Sequence, residues 1–412
     1  MSDVLDRFLR YVQIDTQSDD ESDTVPSTPG QWDLLHLLRD ELTELGASEI
    51  DLSEFGVLTA TIPASPGHEN APVVALFSHV DTALEMPGKH VKPRVHRNYD
   101  GAPILFPDNP ELALRKEDYP LLANKIGKTI VTASGATLLG GDDKAGVAVV
   151  MTAADYLLSH PDVVHGKIRL CFNPDEEIGR GTKNLDLDFL GADFAYTLDG
   201  RERGELVFET FSADRADIRI EGYAIYPGKA KGKLIHATRA AAKIIEMLPF
   251  EGMAPETTEG RVGYIHPISL HGEIAHAHVH LILRDFELDG LENQRQILRD
   301  ICAAVKAQMP GLKVELQFTE QYRNMRYWLE NDMRPVKLVM SVYEELGIEP
   351  IINAMRGGTD GAMLTERGLP TPNIFRGSDN AHGPLEYACV EDMELSVKMV
   401  VRLAERWGTE TK

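Results

Sequence analysis

Apolar runs of strand length, each ending in a carboxylate or a histidine, recur along this chain and constrain its fold more than any other feature. VVALFS is followed by His79, Val80 and Asp81, TLLGG by Asp142, Asp143 and Lys144, and IRLCFNP leads to Asp175, Glu176 and Glu177. FAYTL leads to Asp199, and PNIFRGSDNA to His382. Helical spacing lies between them, amphipathic over 31–45 with Gly46 as a stop and rich in small residues over 145–158. Strands that alternate with helices in this way read as α/β, a mostly parallel sheet covered by helices. Ligands of such sheets gather beyond the carboxyl ends of the strands, where these polar residues stand.

The pattern changes near 213. Alternating strands follow, marked by Ala216, Ile218 and Ile220 and later by Val279, Leu281 and Leu283, with helices expected at 235–247 and 289–307 and a further strand over 313–318. Strand, helix, two strands, helix, strand is the order of a ferredoxin-like α+β unit. We therefore expect an inserted domain at 213–324 and a discontinuous first domain at 1–212 and 325–412. A chain of 412 residues is long for one core, which also favours more than one domain. After 325 the α/β pattern resumes with a helix over 335–346, a turn at 356–361 and a last helix over 391–407. The stretch 84–125, rich in Pro, Asn and Asp, reads as a long loop with a function or as an insertion.

The acidic pairs bring in composition. A formal net charge of −23 repels phosphate backbones, so nucleic acid is excluded as a partner. With 43% hydrophobic and 26% charged residues, and no apolar run near the roughly 18–20 residues of a membrane span, no membrane association is expected. Leu5, Phe8, Leu9 and Val12 give the opening residues helical spacing without a basic start or an apolar block, which places the chain in the cytoplasm. Cys171, Cys302 and Cys389 form neither a disulfide framework nor a CxxC site, and read as buried free thiols.

A lone strand-end His is usually a hydrogen-bonded structural residue, and an Asp before Gly is usually a turn residue. Carboxylate pairs are different: Asp142 beside Asp143, and Glu176 beside Glu177, repel each other at a buried strand end unless a cation or a proton offsets them. Two His, several carboxylates and no Cys form a donor set for zinc, cobalt or manganese rather than for a thiolate structural site. Two ions roughly 3.5–4 Å apart, sharing one carboxylate and activating a water for hydrolysis, are the expectation.

HVDT at 79–82, GGDDKAG at 140–146, PDEEIGRG at 174–181, YTLDG at 196–200, RGGTDG at 356–361 and NAHG at 380–383 resemble the signature blocks of the peptidase T family. The opening RFLRYVQIDTQS, APETTEG at 254–260, LRDFE at 283–287 and YRNMR at 322–326 extend the resemblance over nearly the whole chain. It implies a zinc-exopeptidase-like catalytic domain, an inserted lid or dimerisation domain, and an aminopeptidase that trims tripeptides. It further implies Asp142 as the ligand bridging two zinc ions, His79 and Asp199 on one ion, and Glu177 and His382 on the other. Asp81 and Glu176 are then the catalytic pair. Asp81 orients the His79 ring, and Glu176 serves as general base and then general acid. The Asp142–Asp143 peptide is expected to be cis.

Arg284 and Arg356 are candidates for the terminal carboxylate of the peptide, with salt bridges as the other reading. The chain also departs from the family pattern. Tyr226 precedes Pro227 and Gly228 where the family carries His, and His236 stands where Asn is expected, so the donor to the scissile carbonyl is altered. A related dipeptidase, an N-acyl amino acid deacylase and a catalytically silent peptide-binding relative stay open, as does a homodimer. No GxGxxG opens a helix, which sets aside a nucleotide-binding dehydrogenase.

Overall fold

The computed structural model describes residues 3–411, which fall into two units. The first comprises the described residues up to Phe208, Trp328–Asn353 and the chain from Thr359 onward; the second comprises Glu209–Tyr327 and Ala354–Gly358. The second unit thus takes in more than 213–324, because a short return of the chain, carrying Arg356, belongs to it.

The first unit is built on an eight-stranded sheet in the order Ser48–Leu52, Leu58–Ile62, Ile168–Asn173, Val74–His79, Phe194–Gly200, Asn373–Phe375, Glu205–Thr210, Ile351–Met355. Its centre is parallel, from Ile168–Asn173 through Val74–His79 and Phe194–Gly200 to Asn373–Phe375. Antiparallel pairings flank that centre. Val74–His79 and Ile168–Asn173 are buried along their whole length, as strands covered on both faces must be, and this is why they are mostly apolar, with Arg169 the exception inside them. The helix Gly141–Ser159 packs on Val74–His79 and Phe194–Gly200. A Cβ on Gly146 would collide with the Leu198 carbonyl and with Ser78, so glycine is what lets this helix lie so close to the sheet.

That helix starts earlier than the apolar pattern indicates. Asp142 and Asp143 stand inside it with non-helical backbone, and the peptide between them is cis, as the resemblance implies. The stretch 84–125 also holds more structure than a loop: the strands Arg94–His96, Ile104–Leu105 and Ala113–Leu114, and the short helix Pro120–Ala123. Tyr99, Phe106, Leu114 and Leu122 pack there with Ile130 and Tyr387 in a core of their own. Arg94–His96 joins Ile130–Thr132, Tyr387–Cys389 and Ser378–Asp379 in a four-stranded antiparallel sheet.

In the second unit the order is Tyr264–Gly272, His276–Asp285, Ser212–Glu221, Lys313–Tyr322, antiparallel throughout. The helices Ala237–Glu246 and Leu288–Gln308 cover one face, against Ile218, Val279, Leu281 and Leu283. This is the ferredoxin-like arrangement. Among the described residues no helix is long and apolar enough to cross a membrane.

Candidate metal centre

Parallel strands deliver their last residues to one edge of a sheet, and the first unit collects its polar residues there. His79 ends Val74–His79, Glu176 and Glu177 follow Ile168–Asn173, and Asp199 lies near the end of Phe194–Gly200. The turn before Glu176 is fixed by Asp175, which is fully buried with a positive φ of 58°. Its carboxylate accepts from the Ser27 amide at 2.8 Å and from Gln31 Nε2 at 2.7 Å.

His79 Nε2 lies 3.1 Å from Asp142 Oδ1, and His382 Nε2 lies 3.2 Å from Glu177 Oε2 and 3.6 Å from Asp142 Oδ2. One ligand atom each from His79, Asp142 and Glu177 falls within 4.8 Å of the others. Asp142 stands between the two imidazoles. His382 is reached through a left-handed backbone, with φ of 65°, and is the most exposed of the group. Asp199 pairs with Arg376, whose other amino group lies 3.0 Å from Asp142 Oδ2.

Asp81 is fully buried, with Oδ1 3.3 Å from His79 Nδ1. It also accepts from Ser18 Oγ at 2.6 Å and from the amides of Glu176 and Glu177 at 3.0 and 3.1 Å. One carboxylate therefore faces the imidazole and holds the acidic turn. Asp143 turns away from its neighbour, accepting from Ser78 Oγ at 2.5 Å and from the His79 amide at 3.2 Å. The Glu386 carboxylate accepts from the amides of Leu139 and Gly140 at 2.8 Å and of Asp142 at 2.9 Å, fixing the loop that carries Asp142.

Burial raises the Glu177 carboxyl to about 7 and Asp199 to about 6, and raises Glu176 well above the usual carboxylate range. Burial acts upward on Asp142 too, but Arg376, His382 and His79 outweigh it and hold the group well below its usual value. Hydrogen bonding to Asp142 and Glu177 raises His382 to about 11. Glu177 Oε1 is buried and without a hydrogen-bond partner among the described residues. An unpartnered carboxylate oxygen beside two imidazoles and a second carboxylate, with no thiolate, fits a hard or borderline divalent cation.

Tyr226, His236, Arg284 and Arg356 belong to the second unit. Tyr226 is 72% exposed at the head of the turn Pro227–Lys229. His236 precedes the helix Ala237–Glu246 as its N-cap, its Nδ1 buried and without a partner among the described residues. Arg284 donates to the Leu283 carbonyl and to Gln321 Oε1, both at 3.0 Å, and lies over the Tyr322 ring. Arg356 donates to the Val262 carbonyl and Thr258 Oγ1 at 2.8 Å and lies over the Phe211 and Tyr264 rings. Both guanidinium groups thus rest on neutral oxygens and aromatic faces.

Motif reading missed Arg376 and Glu386. Arg376 had a signal, since it directly follows the fully buried strand Asn373–Phe375, where a solvated arginine is out of place.

Peptidase T of Geobacillus thermodenitrificans is 42% identical over 409 residues, covering 99% of this chain and 99% of that protein. The chain belongs to the peptidase T family. In agreement, the model of peptidase family M20/M25/M40 matches residues 140–406. The solved aminopeptidase PepT of Bacillus cereus superposes with a TM-score of 0.76 at 22% identity, covering 98% of both chains. A dinuclear metal-binding peptidase of the M20 family from Bacillus subtilis superposes with a TM-score of 0.67 at 15% identity, over 98% of this chain and 97% of that one. Membership of the peptidase T family makes this chain a hydrolytic metallopeptidase, and the zinc-exopeptidase-like architecture with an inserted ferredoxin-like unit is the family's fold.

Proposed function

We propose that this chain is an aminopeptidase that releases the N-terminal residue of short peptides, chiefly tripeptides, with two zinc ions as its cofactor. The observation that carries the reading is the convergence of His79, Asp142 and Glu177, with an unpartnered Glu177 oxygen, at the strand ends of a peptidase T family chain. In this reading Asp142, His79 and Asp199 would hold one ion and Asp142, Glu177 and His382 the other; cobalt or manganese could substitute. Held there, such ions would supply polarisation of the scissile carbonyl and a lowered pKa of a water.

Asp81 keeps the His79 ring and the Glu176–Glu177 turn in register. Glu176 takes a proton from the attacking water as the new C–O bond forms, then hands it to the amine as the C–N bond breaks. Burial, which lifts this carboxyl, moves it toward the range a general base needs. An acidic site favours the ammonium of a free N-terminus over a neutral amide. The second unit supplies substrate recognition: Tyr226 or His236 donates to the developing oxyanion, and Arg284 or Arg356 holds the terminal carboxylate.

A second copy of the chain is the partner we assign to the edge strand Tyr264–Gly272, where Ile268 and Leu270 are exposed. Three buried free cysteines accord with a reducing, cytoplasmic setting. A panel of dipeptides, tripeptides, tetrapeptides and N-acetylated tripeptides tests the substrate class. Tripeptides with a free N-terminus should be cut best, and preference for the acetylated peptide would favour a deacylase instead.

A further inference from the structure

The opening block that ends in Gln17 and Ser18 supplies none of the metal ligands or catalytic residues assigned above, yet the chain from there to Gln31 lies against both turns that carry the catalytic pair. Ser18, 4% exposed, donates from Oγ to Asp81 Oδ2 at 2.6 Å, and its amide donates to the Thr82 carbonyl at 3.0 Å. Gln17 forms a parallel bridge with Thr82. Gln31 is fully buried and clasps Asp175 at two points: Oε1 accepts from the Asp175 amide at 3.1 Å, and Nε2 donates to the Asp175 carboxylate at 2.7 Å. Ser27 donates to the same carboxylate from its amide at 2.8 Å and from its hydroxyl at 2.5 Å. Between these anchors Arg180 grips the segment, donating to the Ser22 carbonyl at 2.7 Å and to the Asp20 carbonyl at 3.0 Å. Thr28 Oγ1 donates to the Gln17 carbonyl at 2.8 Å and ties the two ends together.

These contacts converge on one residue. Asp81 Oδ1 meets the His79 ring and the Glu176 amide, and Oδ2 meets Ser18 and the Glu177 amide. The ring and the amides belong to the turns themselves; the Ser18 hydroxyl is what joins Asp81 to another part of the chain. On the other side of Glu176 stands Asp175, a buried carboxylate on a left-handed backbone, and such a residue keeps its place only where its surroundings hold it. Ser27 and Gln31 are those surroundings. Glu176 is therefore gripped through Asp81 at its own amide and through Asp175 at the residue before it. A general base must be held closely, since a misplacement of about 1 Å costs about 10² in rate.

We propose that residues 17–31 form a strap that sets the position of Glu176, with Ser18 acting through Asp81 and Gln31 acting through Asp175. Both are positioning residues. The proposal rests on the reading of Glu176 as the base, and adds that turnover depends on a segment which supplies neither a ligand nor a catalytic group.

The test compares full-length Ser18→Ala and Gln31→Met with wild type on a tripeptide at saturating zinc, with metal content and melting temperature measured alongside. Each variant should lower kcat by about tenfold to a hundredfold, the range typical of residues that orient a metal site from outside it, with KM changed by less than about twofold. Glu176→Gln shows whether the loss passes through the base. Added to Glu176→Gln, Ser18→Ala should lower kcat by no more than about twofold further, because a base that is already absent cannot be misplaced. Losses that multiply in the double variant would mark a general loosening of the fold and overturn the proposal. Wild-type kcat in Ser18→Ala would overturn it too, whether or not Gln31→Met folds. A zinc-loaded wild type that cuts no peptide would instead overturn the aminopeptidase reading, and this inference with it.

Discussion

Glu176 and Glu177 are neighbours whose amides are both held by Asp81, but it is the Glu177 carboxylate that faces His382, at 3.2 Å. Glu176→Gln should therefore keep metal content and fold and lower turnover by about two to four orders of magnitude. Glu177→Gln should lower metal affinity first, and activity in consequence. Metal analysis beside steady-state rates separates them, and identical behaviour of the two variants would contradict the assignment of base and ligand. Tyr226→Phe or His236→Ala should reduce turnover by about 10² to 10³ without changing metal content, if that residue is the oxyanion donor. Wild-type rates in both variants would exclude both residues. At this scale the sequence was informative where a chemical reason attached to a short motif. His79, Asp142 and Glu177 each follow an apolar run, and self-repulsion of neighbouring carboxylates marked two of the three. Arg376 escaped because a lone arginine belongs to no motif, although the apolar run before it was a signal.

At the scale of elements, the last helix, Val390–Thr409, is tied to the 84–125 region through its first turn. Asp392, 1% exposed, accepts from Lys125 at 2.5 Å and from Lys128 at 2.6 Å. Burial pushes its carboxyl up, but the two lysines outweigh burial and hold it below the usual value. A depressed carboxyl contributes stability that is present above its unfolded pKa of about 3.9 and is lost as pH falls through the lower folded value. Asp392→Asn also strands the buried Lys125, so a cost of about 3–5 kcal/mol is expected near neutral pH. Denaturant unfolding at pH 7 and at pH 3 checks this: the deficit of the variant should shrink at the lower pH. An equal deficit at both would show that the ion pair is not its source. The pairing partners were invisible in the sequence, since Lys125 and Asp392 are far apart in the chain and the strands between 84 and 125 span only two or three residues, too short for periodicity to register. Long elements were legible. Val74–His79 and Leu288–Gln308 were found within about two residues, whereas the start of Gly141–Ser159 was not, because two aspartates and two glycines conceal a helix whose apolar face begins later.

At the scale of the molecule, strand-then-helix order was enough to identify the parallel centre of the large sheet, and the order of strands and helices after 213 was enough to identify the ferredoxin-like unit. The antiparallel flanks were not legible, because pairing direction is set by crossover geometry that hydrophobic pattern does not encode. The chain's charge of −23 takes on a local meaning at the carboxyl edge of the sheet, where Asp81, Asp142, Asp143, Glu176, Glu177 and Asp199 outnumber the cationic groups beside them, His79, His382, Arg376 and Lys144. That imbalance is the physical ground for a metal-dependent activity. The most direct measurement follows release of the N-terminal residue from an unmodified tripeptide by the purified full chain, before chelation, after chelation and after zinc is restored. The account predicts about two metal ions per chain, loss of hydrolysis on chelation and its return with zinc. Full hydrolysis by a chain with metal content near zero would contradict it.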